Sequence, residues 1–161
     1  VSNFPCTLRD EPFAQGYMIM QEFRVLLVDD DEDFRRSIAR SLARKGIVSE
    51  QAASGEECIS ILDKKPVDVV VLDIMMPRMN GIEVLQRIKE KHPDTEVILL
   101  IGQGSTRDAA AGIKAGAFGY LTKPLDLELL VCKIEQAHAR LRREKERRRE
   151  LETKYQALLQ S

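Results

Sequence analysis

The chain is predicted to be an α/β protein built on a doubly wound, five-stranded parallel sheet, with an extended C-terminal helix. Three observations carry this reading. Short apolar runs such as Val25-Leu26-Leu27-Val28, Val69-Val70-Val71-Leu72 and Val97-Ile98-Leu99-Leu100 are rich in β-branched residues and too short for buried helices. Segments with helical apolar spacing separate them, the alternation expected of βαβ units. Three of the apolar runs end in charged residues: Asp29-Asp30-Asp31, Asp73 and Lys123-Pro124. In an open parallel sheet the carboxyl ends of the strands face the ligand crevice, where such residues find both solvent and a use.

Residues 1–21 come first. Pro5, Pro12 and Gly16 interrupt any periodicity there, and no basic stretch leads into an apolar one, so a secretory signal is not expected. Two readings of this stretch stand: an upstream extension before a natural start at Met18 or Met20, or a weakly ordered arm. Strand one is expected at 24–28. Helix one follows at 32–45, with Phe34, Ile38, Ser41 and Leu42 inward and Gly46 suited to its stop. Strand two is expected at 47–52. Ser54-Gly55-Glu56-Glu57 opens helix two, which runs to 63. Strand three is expected at 67–72. Asn80-Gly81 opens helix three, with Ile82, Leu85 and Ile88 inward, and His92-Pro93-Asp94 breaks it after 91. Strand four is expected at 96–101, helix four at 105–115 with Ser105 and Thr106 as caps, and strand five at 117–121. Asp126 caps helix five. No Pro or Gly follows Pro124, so that helix is expected to run on. Ile134, Ala137, Leu141, Glu144, Arg148, Leu151, Tyr155 and Leu158 recur by three and four residues, the spacing of a coiled-coil seam with a polar middle. The division expected is therefore an arm at 1–21, a domain at 22–139 and a helical or coiled-coil extension at 140–161.

Composition sets outer bounds. The chain has 161 residues, 43% hydrophobic content and a formal net charge of −1, so no global field points to nucleic acid or to a membrane. No apolar run approaches the ~18 residues of a membrane span. Cys6, Cys58 and Cys132 are widely spaced and form neither a disulfide framework nor a metal knuckle, so a reducing cytoplasm is the expected home. His92 and His138 are the two histidines, too few for histidine-based metal or triad chemistry. Residues 140–149 carry seven basic and two acidic residues, yet no aromatic residue lies among them, so a solvated helix face is expected over a nucleic-acid patch.

The strand tips suggest chemistry. Clustered carboxylates repel one another, and the remedies are a raised pKa or a bound cation. Oxygen-only ligands favour a hard ion such as Mg²⁺, which shares its coordination shell with phosphate. A nearby lysine suits a phosphoryl oxygen. Carboxylate nucleophile, Mg²⁺, lysine and phosphoryl group together describe aspartyl phosphate formation.

On these motifs, which recur in order from about Phe23 to Leu141, the chain resembles a receiver domain of two-component response regulators. The resemblance implies a flavodoxin-like sheet of order 2-1-3-4-5. It implies that Asp73 is the phosphoacceptor, that Lys123 binds the phosphoryl group, and that Asp30, Asp29 (largely through water), Asp73 and the Met75 backbone carbonyl hold Mg²⁺. Tyr120 falls on the aromatic switch position. One position departs from the family pattern: Ile101 stands where a Thr or Ser hydroxyl contacts the phosphate and moves with it. The implied role is a phosphoacceptor regulator in a phosphorelay, not a turnover enzyme. Its partner would be a histidine kinase or phosphotransfer protein, its signalling face helix four, strand five and helix five. A second copy along the C-terminal helix and an effector beyond Ser161 are further expected partners. The alternative is a pseudo-receiver, an interaction module whose switching Ile101 blunts. A flavodoxin-type cofactor binder is excluded because Asp29-Asp30-Asp31 would repel a phosphate without a metal. An aspartate-based phosphatase would want a second carboxylate where Met75 stands.

Overall fold

The computed structural model describes residues 23–161, so the arm expected at 1–21 lies outside the described residues. Five strands and five helices alternate: β1 Val25–Val28, α1 Glu32–Arg44, β2 Ser49–Ala52, α2 Gly55–Lys64, β3 Val69–Asp73, α3 Gly81–Lys91, β4 Glu96–Ile101, α4 Thr106–Lys114, β5 Gly119–Thr122 and α5 Leu127–Leu159. All pairings are parallel, in the order β2-β1-β3-β4-β5. The doubly wound sheet read from the alternation is the observed fold.

Strand alternation sorts the core into two layers. On one face Leu26, Val28, Val70, Leu72, Val97, Leu99 and Ile101 pack with Cys58 and Leu62 of α2, Val84, Leu85 and Ile88 of α3, and Ala109 of α4. On the other, Val25, Leu27, Val69, Val71, Ile98 and Leu100 pack with Leu42 of α1 and with Leu130, Ile134 and Ala137 of α5. A Cβ at Gly112 would come within 2.1 Å of Leu99 Cδ1, so α4 rides close on β4 only because residue 112 has no side chain.

Local chemistry sets most element ends. Asp31, Ser54, Asn80 and Asp126 each accept a backbone N–H in the first turn of the helix they precede. Ser105 occupies the equivalent position before α4 but makes no side-chain capping bond, contrary to expectation. Strand two begins at Ser49, not at 47, because Gly46, at φ 85°, and the α1 C-terminus turn the chain before it pairs.

Helix α5 is continuous over 33 residues. Ile134, Ala137 and Leu141 are buried in the domain, and every residue from Lys145 onward is exposed. Half of the apolar spacing that suggested a coiled coil thus serves the domain's own core. Beyond Leu141 the helix crosses the rim formed by the amino ends of β3 and β4. Arg140 pairs with Glu96, Lys145 with Asp68 and Arg148 with Asp94. Part of the basic run is therefore matched within the chain. No described helix is long and apolar enough to cross a membrane.

Candidate functional site

The carboxyl ends of β1 and β3 and the segment after β5 converge at one edge of the sheet. Asp29 follows β1, and its side chain is 4% exposed. Its Oδ1 accepts the Asp31 N–H at 2.9 Å, which turns the chain toward α1 and leaves Asp30 exposed beside it. Asp73 ends β3, its side chain 6% exposed, and its Oδ1 accepts the Met75 N–H at 3.1 Å. Gly81 closes the loop beyond: its N–H reaches the Ile74 carbonyl at 3.2 Å, and a Cβ there would meet Ile74 Cα at 2.5 Å.

Lys123 joins the two buried carboxylates. Its backbone N–H donates to the Ile101 carbonyl at 2.8 Å, which ties the segment after β5 to the tip of β4. Its Nζ lies 3.1 Å from Asp29 Oδ2 and 3.2 Å from Asp73 Oδ2. The same ammonium sits 4.5 Å from the centre of the Phe34 ring. The Lys123–Pro124 peptide is cis.

Oxygens of Asp29, Asp30 and Asp73 all lie within 4.8 Å of one another. Among the described residues, Lys123 pairs with two of these three carboxylates, Asp29 and Asp73. Burial pushes the Asp73 carboxyl above the usual carboxylate range; the Met75 N–H opposes that shift, the Asp29 charge adds to it, and Lys123 opposes it. Burial works against the charge on Lys123, but its hydrogen bond to Asp29 and the charges of Asp73 and Asp29 outweigh that, and its pKa is raised. The donor set is all oxygen, partly buried and short of positive charge, which is what a hard divalent cation requires.

Two groups at the site escaped the sequence reading. Arg35 donates from Nη1 to the Asp29 carbonyl at 2.7 Å and from Nε to Gln51 Oε1 at 3.1 Å, bracing the acidic turn against β2. Phe34 lies under Lys123, although its spacing marked it only as an inward helix residue. Neither has a local signal, because both depend on how α1 crosses the sheet. The other marked residues lie around the cluster. Met75 is 71% exposed at the mouth. Ile101 is 2% exposed in the layer shared with Ala109 of α4. Tyr120, beside Leu99 in register and on the same sheet face as Ile101, is 43% exposed.

Over residues 25–135 the chain matches the family described as the response regulator receiver domain. The chain belongs to that family. Response regulator MprA of Mycolicibacterium vanbaalenii is 39% identical over 111 residues, which is 69% of this chain and 48% of that protein. MprA of Mycobacterium leprae is 39% identical over 122 residues, 76% of this chain and 52% of that protein. The chain therefore spans about half the length of the curated relatives it matches. Among solved structures, the receiver domain of the Francisella response regulator 1452 is 32% identical with a TM-score of 0.68, over 73% of this chain and 97% of that one. A response regulator receiver domain protein from Clostridium thermocellum is likewise 32% identical, with a TM-score of 0.70. Membership of this family supports a role in phosphorelay signalling.

Proposed function

We propose that this receiver accepts a phosphoryl group on Asp73 from the phosphohistidine of a histidine kinase or phosphotransfer protein. The observation that carries the reading is the Lys123 ammonium bridging Asp29 and Asp73 at a strand tip where three carboxylates gather. An Asp73 carboxylate oxygen attacks phosphorus, a P–O bond forms and the P–N bond to the donor breaks. The imidazole leaves neutral when its other ring nitrogen carries a proton. Lys123 gives up part of its hold on Asp73 and takes a phosphoryl oxygen, while Asp29 keeps the ammonium in place. Asp30, Asp29, Asp73 and the Met75 carbonyl are the groups that would hold Mg²⁺. When bound, that ion would offset the carboxylate charge and neutralise developing charge on the phosphoryl oxygens. The chain acts as a regulator modified on itself, not as a turnover enzyme. The phosphorylated state is relayed through the face of α4, β5 and α5 and through the C-terminal helix. An effector, joined to this chain or separate, would read that face.

Titration with Mg²⁺ tests the metal assignment. Amide resonances near Asp30 and Asp73 should shift in the wild-type protein and stay still in Asp30→Ala. An identical response from the variant counts against the site.

Ile101 supports a second reading, an interaction module that takes the phosphate but does not switch. Its side chain offers no hydrogen bond, and a bond from a hydroxyl to a charged oxygen is worth about 1.5–3 kcal/mol. It also fills a core position on the face that Tyr120 would have to enter.

A further inference from the structure

We infer that His138 makes the seating of the distal half of α5 on the domain rim dependent on pH, with acid releasing the tail. His138 lies on α5 between Ala137 and Leu141, the last core positions of the helix, and is 8% exposed. Its Nδ1 is buried and has no hydrogen-bond partner. Its ring lies 4.1 Å from that of Phe23, which enters β1. The charged groups around it are Asp68, at the amino end of β3, and Arg142 and Lys145, one and two turns further along α5. Asp68 is already engaged, accepting the Arg24 N–H at 2.8 Å and pairing with Lys145 at 3.9 Å.

Protonation changes the balance at this point. A charged ring without a partner for Nδ1 must either be solvated or draw on Asp68. Drawing on Asp68 takes that carboxylate from Lys145, and the new charge also repels Lys145 and Arg142. Lys145 is the middle of the three pairs that hold the helix across the rim, between Arg140 with Glu96 and Arg148 with Asp94. Losing it leaves the segment beyond Leu141, none of which is buried, held to the rim through Arg148 with Asp94, a weaker seating. Burial lowers the His138 pKa below its ordinary 6.5, with Asp68 opposing and Arg142 and Lys145 reinforcing that shift. Release of the segment beyond Leu141 takes the Arg142 and Lys145 charges away from the ring and leaves Asp68 beside it, so protons bind the released form more tightly. Seating is therefore complete where the ring is neutral and weakens as pH falls through its titration, which lies below the ordinary imidazole range.

The test uses the whole chain. Backbone ¹⁵N relaxation of residues 145–159 is followed from pH 8 to pH 5, beside the His138 ring resonances and in parallel with His138→Gln. The expected result is a loss of order in the wild-type tail whose midpoint coincides with the His138 titration, and no such loss in the variant. A tail transition that persists in His138→Gln would assign the effect to the rim carboxylates and overturn the inference. So would a His138 titration that leaves the tail unchanged. The wild-type comparison of midpoints decides the matter even where the variant fails to fold.

Discussion

Asp73 carries two opposing demands, and they are separable by pH. Its carboxyl is buried beside Asp29, and burial first, then that charge, raise its pKa above the ordinary 3.8. Between pH 3.8 and the raised value, the metal-free native state therefore keeps a proton that the unfolded chain has released. Its stability falls as pH rises from about 3.8 through the raised value, and stays lower above it. Asp73→Asn should remove that loss. In EDTA at neutral pH the variant should melt a few degrees higher than wild type, and Mg²⁺ should raise the wild-type melting temperature while leaving the variant's nearly unchanged. A variant that melts lower in EDTA contradicts the electrostatic reading. Ile101 makes a second prediction. Overpacking of a core position typically costs about 1–3 kcal/mol, enough to hold Tyr120 outward against a switch of similar size. Beryllofluoride should shift α4 resonances little in wild type and strongly in Ile101→Thr. A full shift in wild type would make this an ordinary receiver. At this scale the sequence was informative where chemistry sits in the chain's own order. Aspartates at the ends of apolar runs declare themselves. Arg35 and Phe34 do not, since a surface arginine and an inward phenylalanine are commonplace on any α1.

Among the elements, α5 separates legible from illegible most clearly. Its length could be read from the absence of Pro and Gly after Pro124. Its partners could not, because burial against a sheet and pairing in a coiled coil leave the same three-and-four spacing. Ile134, Ala137 and Leu141 turn out to serve the domain core, which leaves Leu151, Tyr155 and Leu158 as the exposed part of the seam. Leu141→Ala should therefore cost about 2–5 kcal/mol, as other buried leucines do. Truncation after Leu141 should change the melting temperature little, because the ion pairs it removes, such as Arg148 with Asp94, are exposed and screened by solvent. The same truncation tests the second copy proposed for this helix. Sedimentation should show a concentration-dependent dimer for the full chain and a monomer for the shortened one. A full chain that is monomeric at tens of micromolar would leave the tail as a single helix.

The whole molecule is a sheet with its chemistry at the carboxyl edge and an ion-paired rim at the amino edge, joined by one long helix. Alternation of strands and helices was enough to read the sheet, because parallel pairing leaves few topologies. The rim was not legible: Asp68, Asp94 and Glu96 meet Lys145, Arg148 and Arg140 across 44 to 77 positions of sequence. The proposed phosphorylation belongs to the other edge, where Asp29, Asp73 and Lys123 meet. Incubation with acetyl phosphate, with Mg²⁺ or with EDTA, followed by intact mass measurement, tests it most directly. Wild type should gain one phosphoryl group in Mg²⁺ and little in EDTA, and Asp73→Asn should gain none in either. Equal labelling of wild type and Asp73→Asn, or no labelling of wild type, would contradict it.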